Sequence, residues 1–122
     1  MPAQVTLAVI VAKPGPLRNS LQALMTTMAQ TEIVAEASDS SALLRMGANI
    51  QPDILLIDAG LSEDVWPALE KIREEWVRTR TIVLVEDSCQ LRRATEAGAD
   101  IALLKGFPAA KLAAIVEELL SR

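Results

Sequence analysis

Histidine is absent from the 122 residues. That removes imidazole as a general base, a metal ligand or an axial ligand of a cofactor. Aromatic residues make up only 2% of the chain, as Trp66, Trp76 and Phe107. So few rings cannot form a base-stacking platform for nucleic acid. The core must be built from Leu, Ile, Val, Ala and Met. Cys89 is the sole cysteine, so no disulfide can close within the chain and a reduced compartment is expected. Cys89 itself reads as a partly buried small residue rather than a reactive thiol. No apolar stretch approaches the length of a membrane span. The first residues lack the basic region and long apolar run of a secretory signal. The expected setting is cytoplasmic, with no membrane partner. A basic stripe is also missing: the formal charge is -4, and Arg73, Arg78 and Arg80, like Arg92 and Arg93, are scattered or diluted by acids. Nucleic-acid binding by this chain is not expected.

What is present is a regular alternation. Half the residues are apolar, at 51%, enough for one ordinary core and one domain spanning 1–122. Short apolar runs read as buried strands: Val5 to Val11, Ile33 to Ala37, Ile54 to Ile57, Thr81 to Val85 and Ile101 to Leu104. Helical spacing separates them. Leu17, Leu21, Leu24 and Met28 share one helix face, as do Val65, Leu69, Ile72 and Trp76, and Leu112, Ile115, Val116 and Leu119. Ser40 to Met46 and Ser88 to Ala97 are shorter helix candidates. Punctuation agrees: Asp64 is placed to cap the third helix, with Pro67 in its first turn. Asp87 with Gln90 suggests a capping box, Gly98 a left-handed cap, and Pro108 the opening of the last helix.

Apolar runs without polar alternation imply strands covered on both faces, hence a parallel sheet. Right-handed crossovers then favour an α/β, doubly wound five-stranded sheet of order 2-1-3-4-5. In such a sheet, chemistry collects at the carboxyl ends of the strands. This selects Ala12, Lys13 and Pro14 after strand one, Asp58, Ala59 and Gly60 after strand three, Glu86, Asp87 and Ser88 after strand four, and Lys105 and Gly106 after strand five. Asp58 and Lys105, each ending an apolar strand, form the most suggestive pair.

The run Pro52-Asp53-Ile-Leu-Leu-Ile-Asp58, then Ala97-Gly98-Ala99-Asp100 and Leu104-Lys105-Gly106-Phe107, resembles response-regulator receiver domains of two-component signalling along the whole chain. The resemblance implies a flavodoxin-like, three-layer α/β/α receiver. By matched position Asp58 would be the phosphoacceptor and Lys105 the residue that pairs with the phosphoryl group. The partners implied are a histidine kinase or an output domain. A homodimer through helix four, strand five and helix five, about Asp87 to Arg122, is also implied. No enzyme activity is expected.

Several positions depart from the family's pattern. Its two magnesium-holding acids after strand one are Ala12 and Lys13 here. Its hydroxyl at the end of strand four is Val85, its aromatic in strand five is Ala102, and its proline after the lysine is Gly106. Asp58 and Gly60 are the only remaining magnesium candidates, so the ion is expected to bind weakly or not at all, and no other cofactor is expected. Asp58 (-1), Lys13 (+1) and Lys105 (+1) sum to +1, and Glu86 turned inward would bring the site to zero. Lys13 is expected to pair with Asp58 in place of the metal. The leading expectation is a degenerate receiver acting as an interaction module with weakened Asp58 phosphorylation. The alternative is a conventional receiver switch phosphorylated on Asp58 by a histidine kinase. A small-molecule or cofactor-binding domain on the same fold is the remaining alternative, without a Gly-x-Gly-x-x-Gly or Walker loop to support it.

Overall fold

A computed structural model describes residues 5–46 and 50–121. Arg122, at the end of the expected contact face, and residues 1–4 and 47–49 of the expected single domain lie outside the described residues. The elements run β1 Thr6–Val11, α1 Pro16–Thr27, β2 Thr31–Ala37, α2 Ser40–Met46, β3 Ile54–Asp58, α3 Val65–Glu75, β4 Arg80–Val85, α4 Ser88–Glu96, β5 Ile101–Leu104 and α5 Ala109–Leu120. The strands pair in parallel, in the order β2-β1-β3-β4-β5, as the pattern of apolar runs predicts.

Successive side chains of a strand point to opposite faces, and the core divides accordingly. Val9, Val11, Leu55, Ile57, Val83 and Val85 face α2, α3 and α4, where Leu43, Leu69, Trp66, Trp76 and Ala94 meet them. Ala8, Ile10, Ile54, Leu56, Ile82 and Leu84 face α1 and α5, with Leu21, Met25, Leu112 and Val116. Covering on both faces holds for β1, β3 and β4. The edge strands are thinner: only Ala37 of β2 and Leu103 of β5 are buried.

The motifs that carry the family resemblance largely serve as scaffolding. Asp53 Oδ2 accepts the Leu7 N–H at 2.7 Å, fixing the start of β1 beside β3. Asp100 Oδ2 accepts the Thr81 N–H at 2.8 Å, joining the starts of β4 and β5. The Thr79 hydroxyl donates to the Pro52 carbonyl at 2.6 Å. Gly98, at φ +93°, closes α4, and the Ala99 N–H returns to the Ala94 carbonyl at 3.0 Å.

The two expected acidic caps behave differently. Asp87 has an extended backbone, and its side chain accepts the Gln90 N–H at 2.8 Å. The Gln90 side chain reaches back one residue further than a capping box, to the Glu86 N–H at 2.9 Å. Asp64 makes no side-chain cap bond, because its backbone is already helical (φ -67°, ψ -12°). Ser62 Oγ instead accepts the Asp64 N–H at 3.2 Å. Pro67 does sit in the first turn of α3.

Candidate functional site

Parallel register brings three charged groups to one edge. Asp58 of β3 stands opposite Leu84 of β4, and Val85 stands opposite Leu104 of β5. Asp58, Glu86 and Lys105 therefore emerge from adjacent strands at their carboxyl ends. Lys105 Nζ lies 2.7 Å from Asp58 Oδ1 and 3.0 Å from Glu86 Oε1. The Gly60 N–H donates to the same Asp58 Oδ1 at 2.8 Å. The partners of the Asp58 carboxylate gather on Oδ1; among the described residues none is placed on Oδ2.

The side chains of Asp58 and Lys105 retain 14% and 27% of their exposure, and Glu86 retains 59%. Burial works against the Lys105 ammonium. Hydrogen bonds to Asp58 and Glu86, together with their charges, outweigh it and raise its pKa above the ordinary lysine value. The three groups sum to one negative charge.

No protein-family model matches the chain, and no curated protein matches it in sequence. Solved structures do match. A signal receiver domain from Mycobacterium tuberculosis superposes with a TM-score of 0.85 at 19% identity, over 98% of each chain. A LuxR-family two-component response regulator from Aurantimonas sp. SI85-9A1 gives 0.85 at 24%, over 97% of this chain and 86% of the other. A response regulator from Thermotoga maritima gives 0.78 at 20%, over 97% and 100%. This chain has the receiver fold.

On the receiver fold, Asp58 and Lys105 occupy the positions that the sequence resemblance assigns them, in direct contact. Glu86 does turn inward and joins them. Lys13 does not: it is exposed and makes no ion pair among the described residues. The expected Lys13–Asp58 pair is therefore not formed, and the ammonium at Asp58 is that of Lys105. Ala12 is buried and apolar. Its N–H donates to the Ala37 carbonyl at 3.0 Å, so its place holds strands together and supplies no ligand.

Arg18, which sequence reasoning missed, completes that junction. Its guanidinium donates to the Ala12 carbonyl at 2.8 Å, the Ala37 carbonyl at 2.9 Å and Ser38 Oγ at 2.9 Å. A polar residue facing the carboxyl ends of β1 and β2 from α1 was the available signal.

The donor set does not suit magnesium, which needs carboxylates and water in near-octahedral array. Asp58 and Glu86 both already face an ammonium, and Ala12 offers no oxygen from its side chain. Among the described residues no group of three or more acidic or thiol side chains is placed to hold a metal.

Val85 is wholly buried in the core and brings no hydroxyl to the site. Ala102 is half-buried on β5. Gly106 takes φ +93°, and the Lys105–Gly106 bond is trans. Cys89 is exposed, contrary to expectation, because it faces outward in the first turn of α4. Beside it, Arg93 bonds both oxygens of Glu63 at 2.8 and 2.9 Å. The same guanidinium lies 5.1 Å from the Trp66 ring, and Trp66 Nε1 donates to Glu63 at 2.9 Å. This cluster ties the loop before α3 to α4.

Proposed function

We propose that the chain is a receiver domain of a two-component or related relay, that it works chiefly through protein contact, and that phosphoryl transfer to Asp58 is weakened. The observation that carries this reading is a retained Asp58–Lys105 contact of 2.7 Å on a receiver fold with buried Ala12 and Val85 at the ends of the neighbouring strands and Lys13 exposed. Phosphoryl transfer requires neutralisation of charge on the transferring oxygens. The cluster here carries a net negative charge and few metal donors. The chain itself is read as a regulator and not an enzyme, with a histidine kinase or an output domain as its partner.

The test is incubation with phosphoramidate, with and without magnesium, followed by intact mass analysis of the chain and of Asp58→Asn. The expected result is slow, partial addition of one phosphoryl group that is lost in the variant. Rapid stoichiometric labelling dependent on magnesium would overturn the reading in favour of a conventional switch. That second reading draws support from Asp58 Oδ2, which has no partner among the described residues.

A second copy is the proposed occupant of the α4-β5-α5 face. Leu104 is 48% exposed there, beside a groove of about 470 Å³ lined by Leu91, Leu103, Phe107 and Lys111. Leu104→Glu should abolish any dimer seen by sedimentation.

A further inference from the structure

Lys105 is the only cation within ion-pair distance of Asp58 among the described residues, and it is shared. Two of the three N–H donors of an ammonium face carboxylates, those of Asp58 and Glu86. Gly60 closes the cluster from a third side. A Cβ on Gly60 would lie 3.1 Å from Asp58 Oδ1, 3.1 Å from Glu86 Oε1 and 3.1 Å from Lys105 Nζ. Gly60 thus lies against all three charged atoms, with no side chain between them.

Glu86 is held unevenly. Its backbone N–H is fixed by Gln90 Oε1 at 2.9 Å, at the cap of α4. Its side chain is mostly exposed and is anchored by the Lys105 contact at 3.0 Å. An exposed ion pair of this kind contributes little to stability, so the carboxylate can leave without disturbing the fold.

We infer that Glu86 is a resident anion: it occupies the ammonium of Lys105 and competes there with any oxyanion that approaches Asp58. Its consequence for transfer rests on the reading of Asp58 as acceptor, but the competition itself concerns the ammonium alone. With Glu86 in place, an incoming phosphoryl dianion meets a cluster of net charge -1 (Asp58 -1, Glu86 -1, Lys105 +1). With the Glu86 charge removed, it meets a neutral pair. In the transfer itself, Asp58 Oδ2 forms the new O–P bond as the P–N bond of phosphoramidate breaks. The nitrogen, already protonated in the zwitterionic form of phosphoramidate, keeps the bonding pair and leaves as ammonia.

The experiment titrates inorganic phosphate into the chain, Glu86→Gln, Glu86→Gln/Lys105→Met and Glu96→Gln, following the Gly60 amide resonance. Glu96 is an exposed acid at the far end of α4 and controls for net charge. Glu86→Gln should bind phosphate about two- to fivefold more tightly, the range for removing one partly exposed charge. The gain should vanish in the double variant and be absent in Glu96→Gln. Equal affinity in the chain and Glu86→Gln would overturn the inference, as would a gain that survives loss of Lys105 or appears in Glu96→Gln. Phosphoramidate labelling of the same set with and without magnesium separates the two readings. Tighter phosphate binding with no labelling under either condition leaves Glu86 as the competitor and removes Asp58 as acceptor. Labelling of Asp58 with equal phosphate affinity in the chain and Glu86→Gln keeps the acceptor and removes the competitor.

Discussion

Gly98→Ala isolates how much the cap of α4 contributes. Gly98 sits at φ +93°, and its N–H donates to the Thr95 carbonyl at 3.0 Å. A side chain in the left-handed region costs roughly 1–2 kcal/mol. There is also a steric term, since a Cβ on Gly98 would fall 2.1 Å from Arg73 Nη1 and 2.5 Å from its Cζ. That neighbour is the far end of an exposed, flexible side chain, which swings aside at little cost. The backbone term should therefore dominate. The unfolding entropy of a 122-residue chain is roughly 0.26 kcal/mol per kelvin, so 1–2 kcal/mol corresponds to a Tm lower by about 4–8 °C. Thermal unfolding by circular dichroism should be run on Gly98→Ala, Arg73→Ala and the double variant. Arg73→Ala alone should be nearly neutral, and the double variant as unstable as Gly98→Ala. If the double variant regains the parent midpoint, collision and not backbone strain sets the cost. A neutral Gly98→Ala would refute both terms.

Other outcomes follow from contacts described above. Asp53→Ala strands the Leu7 N–H and should lower stability by about 1–2 kcal/mol in urea unfolding, while Asp53→Asn, which keeps an acceptor, should lose less than half of that. Lys105 has a raised pKa in the folded chain, so its ion pairs contribute fully below the ordinary value of 10.5 and fade as pH rises through the raised value. The stability difference between the chain and Lys105→Met, about 0–1 kcal/mol at neutral pH after allowance for solvent, should shrink on that alkaline limb, and a difference that grows there contradicts the assignment. Millimolar magnesium should leave the Asp58 and Gly60 amide resonances in place, whereas Ala12→Asp with Lys13→Asp should make them move saturably; saturable shifts in the parent chain would show that the present donors suffice.

The sheet was legible because its three central strands are buried on both faces and carry no polar alternation. The bounds of β5 were legible for a similar reason, since its apolar run stops where the strand stops. Asp58 and Lys105 stood out because each is a lone charge ending an apolar run. Glu86 was harder, because an exposed acid after a strand turns toward a partner only when the neighbouring strand presents one. The Lys13 pairing failed on direction: strand spacing of about 4.8 Å permits the reach, but Lys13 follows buried Ala12 and projects outward. Asp64 and Asp87 look alike in sequence and differ in backbone, helical at one and extended at the other, which decides whether the carboxylate can turn back onto the first turn. Arg18 offers only its place on α1 as a signal, since the Ala37 carbonyl it reaches lies 19 residues away.

The uneven placement of the two tryptophans gives the molecule a one-sided optical signature. Trp66 and Trp76 are both buried on the α2-α3-α4 face, while the α1-α5 face holds Phe107 as its only ring. With no tyrosine in the chain, emission excited in the near ultraviolet comes from one side of the sheet alone. Detachment of α1 or α5 would be silent in fluorescence and plain in far-ultraviolet dichroism. Coincidence of the two melting curves is therefore a stringent check that both faces unfold together. Trp66, touched by Glu63 and Arg93, makes the same emission a built-in gauge of the loop that leads from Asp58 into α3.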